Sequence, residues 1–575
     1  MKSVLRYLKD YKKECVCAPL FKMLEASFEL FVPLVIAGII DSGIGNEDKG
    51  IIYRDFGILV LLGLIGLVVA VIAQYFSAKA AVGFATKLRH HLFEHLMSLS
   101  FTEIDSLGTS TMITRMTSDV NQAQTGVNMF LRLFLRSPFV VFGAMIMAFT
   151  IDFKSALLFV FAIVGLSVVV FTIMAFNIPM MKNVQKRLDD VLRRTRENLT
   201  GVRVLRAFCR EEEEIEGFRN SNAVLTAGQK RSGSISGLMN PLTYIVINMA
   251  IILLINSGAL QVSLGNLTQG EVVALYNYMS QILVELVKLA NLIVTLNKAV
   301  ASANRLGEVF AIEPSMAAGD INCPKTDADF TVEYKNVSLQ YKGAKEESLS
   351  NISFEVKKGQ TVGIIGGTGC GKTSVVHLLT RFYDATRGEV LLDGVDVKDY
   401  TKETLLKKIS IVMQKAVLFK GSIRDNLKWG KETATDAEIM EAVIAAQALD
   451  VVEKKGGLDA EIEQSGRNLS GGQRQRLSIA RALVGKPEVL ILDDSSSALD
   501  YATDAALRTA LKSLSYHPTV FMVSQRTSSI QHADLIVVLE DGQMVEKGTH
   551  ESLLESCEVY REIHESQYKK EDKTA

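Results

Sequence analysis

Net charge is nearly absent from this sequence. Lysine and arginine total 63 against 64 aspartate and glutamate. No summed field draws the chain to a polyanion, and on that ground a nucleic-acid partner is excluded. The basic stretch 473–481, QRQRLSIAR, and Arg526 have no aromatic residues interleaved, so they offer no stacking platform for bases. Zinc spacing is also lacking. Cys15, Cys17, Cys209, Cys323, Cys370 and Cys557 are scattered and form no CxxC pair. Most fall in segments placed below on the cytosolic side, so free thiols are expected. Cys15-x-Cys17 reads as two ordinary helix cysteines rather than an acylation site. HExxH is missing. His91 and His95 lie four apart with Glu94 beside them, but two ligands make a poor zinc site, and the pair reads as a solvated helix face.

What the sequence has is hydrophobicity, unevenly spread. Apolar residues make up 48% of the 575, too many residues for one compact domain. Long apolar runs fill 16–310. Beyond 325, short apolar strands alternate with charged helices, as in an α/β domain. Residues 1–13 are basic, and an apolar segment follows from about Val16 to Ile40. It is too long for the core of a signal peptide, and more spans follow it, so it reads as an uncleaved first membrane helix. The basic flank places the N-terminus in the cytoplasm. A polar loop, Asp41–Gly50, is expected outside.

Further spans are expected from about Phe56 to Tyr75, Phe134 to Ile151, from Ala156, Leu242 to Ile255, and Val272 to Leu296. Several overrun the bilayer as long helices, and the last continues to Phe310. Breaks near 101–107 and 207–214 mark two elbows on the cytoplasmic side. The fold class expected is therefore an all-α polytopic membrane domain with six transmembrane helices over 1–312. A linker follows at 313–330, marked by Pro314 and Pro324, and then an α/β P-loop domain over 331–575.

The strand TVGII (361–365) runs into Gly366, Gly367, Thr368, Gly369, Cys370, Gly371, Lys372 and Thr373. GxxxxGKT after a strand and before a helix is the context a P-loop requires. Backbone N–H groups wrap phosphates there, Lys372 neutralises them, and the Thr373 hydroxyl suits Mg²⁺. Asp493, at the end of VLILD, is the matching Mg²⁺ carboxylate. An LSGGQ, Leu469–Gln473, opens a helix with small residues that let backbone N–H groups approach an anion, aided by the helix dipole.

With these motifs, residues 332–560 resemble an ABC ATPase domain, and with the six spans the whole chain resembles an ABC exporter half-transporter. The resemblance implies ATP and Mg²⁺ as ligands. It implies that Tyr341 stacks on adenine and that Gln414, with Thr373 and Asp493, reaches Mg²⁺. Ser470, Gly471, Gly472 and Gln473 correspond to the signature loop, which in this family closes over ATP held by the opposite subunit. Asp500 ends the D-loop, and the two elbows correspond to coupling helices.

Two positions depart from the family pattern. Asp494 stands where the family has its catalytic glutamate, and Gln525 where it has its switch histidine. An aspartate carboxylate falls about an ångström short of the attacking water, a misplacement that costs about 100-fold. A glutamine donates a hydrogen bond to the γ-phosphate but carries no positive charge. The intact LSGGQ together with these losses resembles one half of the heterodimeric bacterial multidrug exporters. The implied partners are a different half-transporter subunit, membrane lipid and a small lipophilic or amphiphilic transport substrate. A homodimer with slow sites and an ATP-gated regulator or channel stay open as alternatives. An importer is disfavoured, because spans and ATPase share one chain. Glu25 and Glu29 in the first span are expected to face a cavity or a partner. They either attract cationic substrates or pair with lysines such as Lys22 or Lys288.

Overall fold

The computed structural model describes residues 2–317, 319–322 and 328–568, so Cys323 and Pro324 lie outside the described residues. The chain divides into two compact units: Met1–Met97 with Ser110–Ile312, and Ser98–Thr109 with Glu313–Ala575.

The first unit is helical. Among its described residues, six helical stretches are long and apolar enough to cross a membrane: Arg6–Ile44, Lys49–Ser98, Thr109–Ile151, Phe153–Thr200, Glu211–Ser263 and Gln269–Phe310. Small residues let these helices approach closely, which is how helices associate where no hydrophobic drive exists between them. Ala144, Ala148, Ala156, Ala162, Ala250 and Ala274 line one shared core with Phe159 and Tyr278. A Cβ at Gly126 would lie 2.1 Å from the Ala299 Cβ, so only glycine permits that crossing.

Pro33 sits inside the first span. It has no N–H, so the Glu29 carbonyl loses its helical partner, and in a membrane such a group needs another donor. Gln281 Nε2 lies 3.5 Å from that carbonyl oxygen, and the Tyr278 hydroxyl donates to the next carbonyl, Leu30, at 2.6 Å. The last span thus satisfies the break in the first.

Two expectations need correction. The connection between the first two spans is shorter than the expected loop Asp41–Gly50, because the helix continues through Ile39–Ile44. Asp41 is no loop residue: its carboxylate accepts from Thr268 Oγ1 at 2.6 Å and Gly270 N at 2.8 Å, covering orphan donors where the last span begins. The second elbow is earlier than 207–214. Its short helix is Val202–Ala207, and Glu211–Glu214 form the first turn of the helix Glu211–Gly237, where acidic side chains suit the helix dipole. The segment expected as the linker makes contacts of its own. Ile321 bridges Tyr400, and Ser315 Oγ donates to Glu103 Oε2 at 3.3 Å.

The second unit is α/β. Its main sheet runs, in spatial order, Gln543–Gly548, Leu535–Glu540, Thr361–Gly366, Thr519–Val523, Val489–Asp493 and Ile409–Val412. All neighbours are parallel except the Gln543–Gly548 edge. Val489–Asp493 and Thr519–Val523 are buried throughout, as expected of parallel strands covered on both faces. A second sheet, antiparallel, orders Leu349–Val356, Val332–Leu339, Arg387–Leu392 and Val395–Asp396. Phe521, fully buried, packs at the centre of the core with Val362, Ile364, Ile491 and Val537. Phe521→Ala is expected to destabilise this unit by about 3–5 kcal/mol. Calorimetry of the full chain checks this, and an unchanged transition would remove Phe521 from the core.

Candidate nucleotide site

Parallel strands all point their C-terminal ends to one edge, which is where open α/β sheets bind ligands. Thr361–Gly366 delivers the glycine loop, Val489–Asp493 delivers Asp493 and Asp494, and Thr519–Val523 leads to Gln525. Two hydrogen bonds align these ends: Ser524 N donates to Ile364 O at 3.1 Å, and Asp494 N to Val523 O at 3.0 Å.

The loop 366–371 depends on glycine. Gly371 sits at φ +95°, and a Cβ there would come within 2.6 Å of Leu349 Cδ2. Lys372 is buried, and its Nζ donates to Gly366 O at 2.9 Å and Gly367 O at 2.6 Å. Cys370 Sγ lies 3.8 Å from the same Nζ. Thr368 and Gly369 complete the loop, and a Cβ at Gly367 or Gly369 would meet nothing within 4 Å, so this face is open to a ligand.

Thr373 Oγ1 donates to Asp493 Oδ1 at 3.1 Å, and Gln414 Nε2 donates to Asp494 Oδ2 at 3.1 Å. Hydroxyl, carboxylate and amide oxygens are hard donors, a set that fits Mg²⁺. Burial pushes the Asp493 carboxyl above its ordinary value; the Thr373 hydroxyl opposes this and the neighbouring Asp494 carboxylate adds to it. Asp494 itself sits at φ +46°, a left-handed backbone that aspartate tolerates better than most residues. The Gln525 side chain is exposed.

Tyr341 follows the strand Val332–Leu339. Its hydroxyl lies 2.9 Å from Ser374 Oγ, next to Thr373, and its ring packs edge-on to Tyr383 at 4.9 Å. Burial raises its phenol. Ser470 caps the helix Gly471–Val484 in a reciprocal capping box. Gln473 N donates to Ser470 Oγ at 3.3 Å, and Ser470 N to Gln473 Oε1 at 2.9 Å. Gly472 packs so closely that a Cβ would lie 3.0 Å from Ala498 O. Asp500 caps the next helix through Thr503 N at 2.9 Å, and that bond holds its carboxyl below the ordinary value. Among the described residues, no hydrogen bond joins the Ser470–Gln473 cap to the cluster of Lys372, Thr373, Gln414, Asp493 and Asp494. The signature-loop residues and the phosphate-site residues are thus two separate groups within this chain.

The sequence reading missed Tyr383, Ser374 and the seat of the first elbow. The helix Phe101–Leu107 belongs to this second unit. Phe101 packs on Phe382 at 4.5 Å, and the Tyr383 hydroxyl donates to Asp105 Oδ2. Tyr383 thus touches both Tyr341 and the elbow. The aromatic pair Phe382-Tyr383 just after the P-loop helix was the available signal. His91 and His95 do not converge: His91 Nδ1 pairs with Glu94 Oε2 at 3.0 Å, and His95 Nε2 with Val309 O at 3.0 Å.

A family model described as ABC transporter transmembrane region matches residues 15–286, and one described as ABC transporter matches 349–497. YfiB of Bacillus subtilis (strain 168), described as an uncharacterized ABC transporter ATP-binding protein, is 34% identical over 575 residues, spanning 99% of each chain. An ATP-dependent lipid A-core flippase of Yersinia pestis bv. Antiqua (strain Antiqua) is 30% identical over 570 residues, 98% of this chain and 96% of that one. The solved structure of a bacterial Atm1-family ABC exporter with ATP bound matches with a TM-score of 0.80 at 23% identity, over 99% of each chain. That match is one of fold.

If Asp493 holds Mg²⁺, protons compete with the metal for its carboxylate. Because its carboxyl is raised, Mg²⁺-dependent ATP affinity is expected to weaken on acidification sooner than an ordinary aspartate would allow. Asp493→Asn should lower that affinity about 10–100-fold and remove this pH limb. Titration with a fluorescent ATP analogue, in Mg²⁺ and in chelator, checks both. An identical pH profile in the variant would assign the effect elsewhere.

Proposed function

The chain belongs to the ABC transporter family, with the exporter half-transporter fold, and on that premise we propose that it is the slow-hydrolysing half of a heterodimeric exporter. Its substrate class is small lipophilic or amphiphilic compounds, moved out across the cytoplasmic membrane. The observation that carries the asymmetry is the pair Asp494 and Gln525 at the ends of adjacent strands. Bound MgATP supplies the phosphoanhydride whose cleavage powers the cycle. Lys372 and the glycine loop bind its phosphates, and Thr373, Asp493 and Gln414 hold the metal.

Asp494 is left with the water-orienting task. Its carboxylate is one methylene short of a glutamate, and Gln414 Nε2 tethers it at 3.1 Å. Gln525 orients the terminal phosphate without adding charge. Phosphoryl transfer depends on positioning and charge stabilisation, so both changes slow it. Ser470–Gln473, whose capping box orders the start of a 14-residue helix, serves the partner's nucleotide instead. The basic N-terminal segment supports a cytoplasmic position for both termini and the ATPase domain. Tyr383, between Tyr341 and Asp105, gives the first elbow a direct link to the adenine side.

ATPase of the purified chain alone is expected to be slow, and Asp494→Glu with Gln525→His should raise it by about 100-fold. The chain should co-purify from its host with a different half-transporter. Robust turnover by the chain alone, lost in Asp494→Asn, would overturn the asymmetric reading.

A further inference from the structure

Within the first unit a cavity of about 380 Å³ opens between the first, third and last spans. Four charged side chains stand at it. Arg136, only 8% exposed, donates through one terminal nitrogen to Glu285 Oε1 at 2.6 Å and through the other to both Glu29 oxygens at 2.9 and 2.7 Å. Glu285 is completed by Ser137 Oγ and Lys288 Nζ, each at 2.8 Å. Glu25 is not part of this set, being paired with Lys22 at 2.5 Å. The Glu29 side chain remains 46% exposed and Lys288 44%.

Two carboxylates and two cations leave the cluster neutral. A ligand with net charge would bring an uncompensated charge into a low-dielectric site, which is costly. A zwitterion brings none. Two buried polar atoms at the cavity have no hydrogen-bond partner among the described residues: Arg136 Nε, a donor, and Gln281 Oε1, an acceptor. The orientation of Gln281 follows from Pro33. Its Nε2 faces the Glu29 carbonyl that the proline leaves free, so Oε1 is the end left without a donor. Both atoms lie behind the cavity wall, so a ligand is read by the half-exposed pair Glu29 and Lys288.

We infer that this cavity is a headgroup site for zwitterionic amphiphiles carrying a primary ammonium. The ammonium meets Glu29 and the anionic oxygen meets Lys288, the two half-exposed members of the cluster. About 380 Å³ suits a headgroup and not its chains. This rests on the exporter reading and names the substrate class for it.

The test uses the complete transporter with its partner subunit and four fluorescent phospholipids of identical acyl chains. The headgroups are phosphatidylethanolamine, phosphatidylcholine (zwitterionic without N–H), phosphatidylglycerol (anionic) and O-ethyl phosphatidylcholine (cationic). Equilibrium binding in detergent and ATP-dependent transbilayer movement in proteoliposomes are both read. Phosphatidylethanolamine should bind tightest, with the two net-charged lipids about tenfold weaker. Glu29→Gln leaves the cluster positive and should shift preference toward phosphatidylglycerol. Lys288→Gln leaves it negative and should shift preference toward the cationic lipid. Glu29→Asp and Lys288→Arg should keep the original order. Binding that ignores headgroup charge, or an order that neither variant moves, makes the cluster an interhelical tie only and overturns the inference. That result leaves the exporter reading intact. The expected binding order without any ATP-dependent movement would keep the site and overturn the exporter reading.

Discussion

Two backbone hydrogen bonds set the chemistry of the second unit: Ser524 N to Ile364 O, and Asp494 N to Val523 O. They extend the parallel ladders by one residue past the strand ends. The residues that follow each strand are thereby fixed side by side. A slip of one residue in either pairing would turn each strand's side chains to the opposite face. The Thr373–Asp493 and Gln414–Asp494 bonds would then lose their partners. Buried apolar strands hold that register, so the polar site is set by an apolar constraint.

The first unit solves a different problem. Where no water reaches, every polar group needs a protein partner. Pro33 creates a vacancy in the first span, and Gln281 and Tyr278 of the last span fill it. Arg136 then ties Glu29 and Glu285, so the same helices are joined through backbone and side chain alike. The tie is fully closed at Glu285 and half open at Glu29, and that difference gives the cavity its polar wall.

Much of this was legible in the sequence because it is local. A P-loop, an LSGGQ and a strand ending in Asp493 each carry their chemistry within a few residues. The six spans follow from run length and hydropathy. What stayed hidden depends on contacts between distant segments. Glu29 was expected either to attract cationic substrates or to pair with a lysine; its side-chain partner is Arg136, 107 residues away. Asp41 looked like an exposed loop residue until Gly270 and Thr268 met it across 229 and 227 residues. The second elbow was displaced because the acidic run 211–214 looks like a break when read by polarity alone, although acidic residues belong in a helix's first turn. Tyr383 carried no motif and became visible only through its contacts with Tyr341 and Asp105.

The placement of the two departures explains how chemistry and stability separate here. Lys372 and Asp493 are buried and hydrogen-bonded into the loop and strand, so changing them disturbs the fold. Asp494 is half-buried and Gln525 is exposed, and the backbone bonds next to them run through N–H and C=O groups that any residue but proline supplies. A shorter carboxylate or an uncharged amide at these two positions therefore costs the sheet almost nothing. In the proposed reading, nucleotide binding rests on the buried set and hydrolysis on the peripheral one. On that proposal the chain keeps MgATP in place as a structural element of a dimer while the cleavage step falls to the other site.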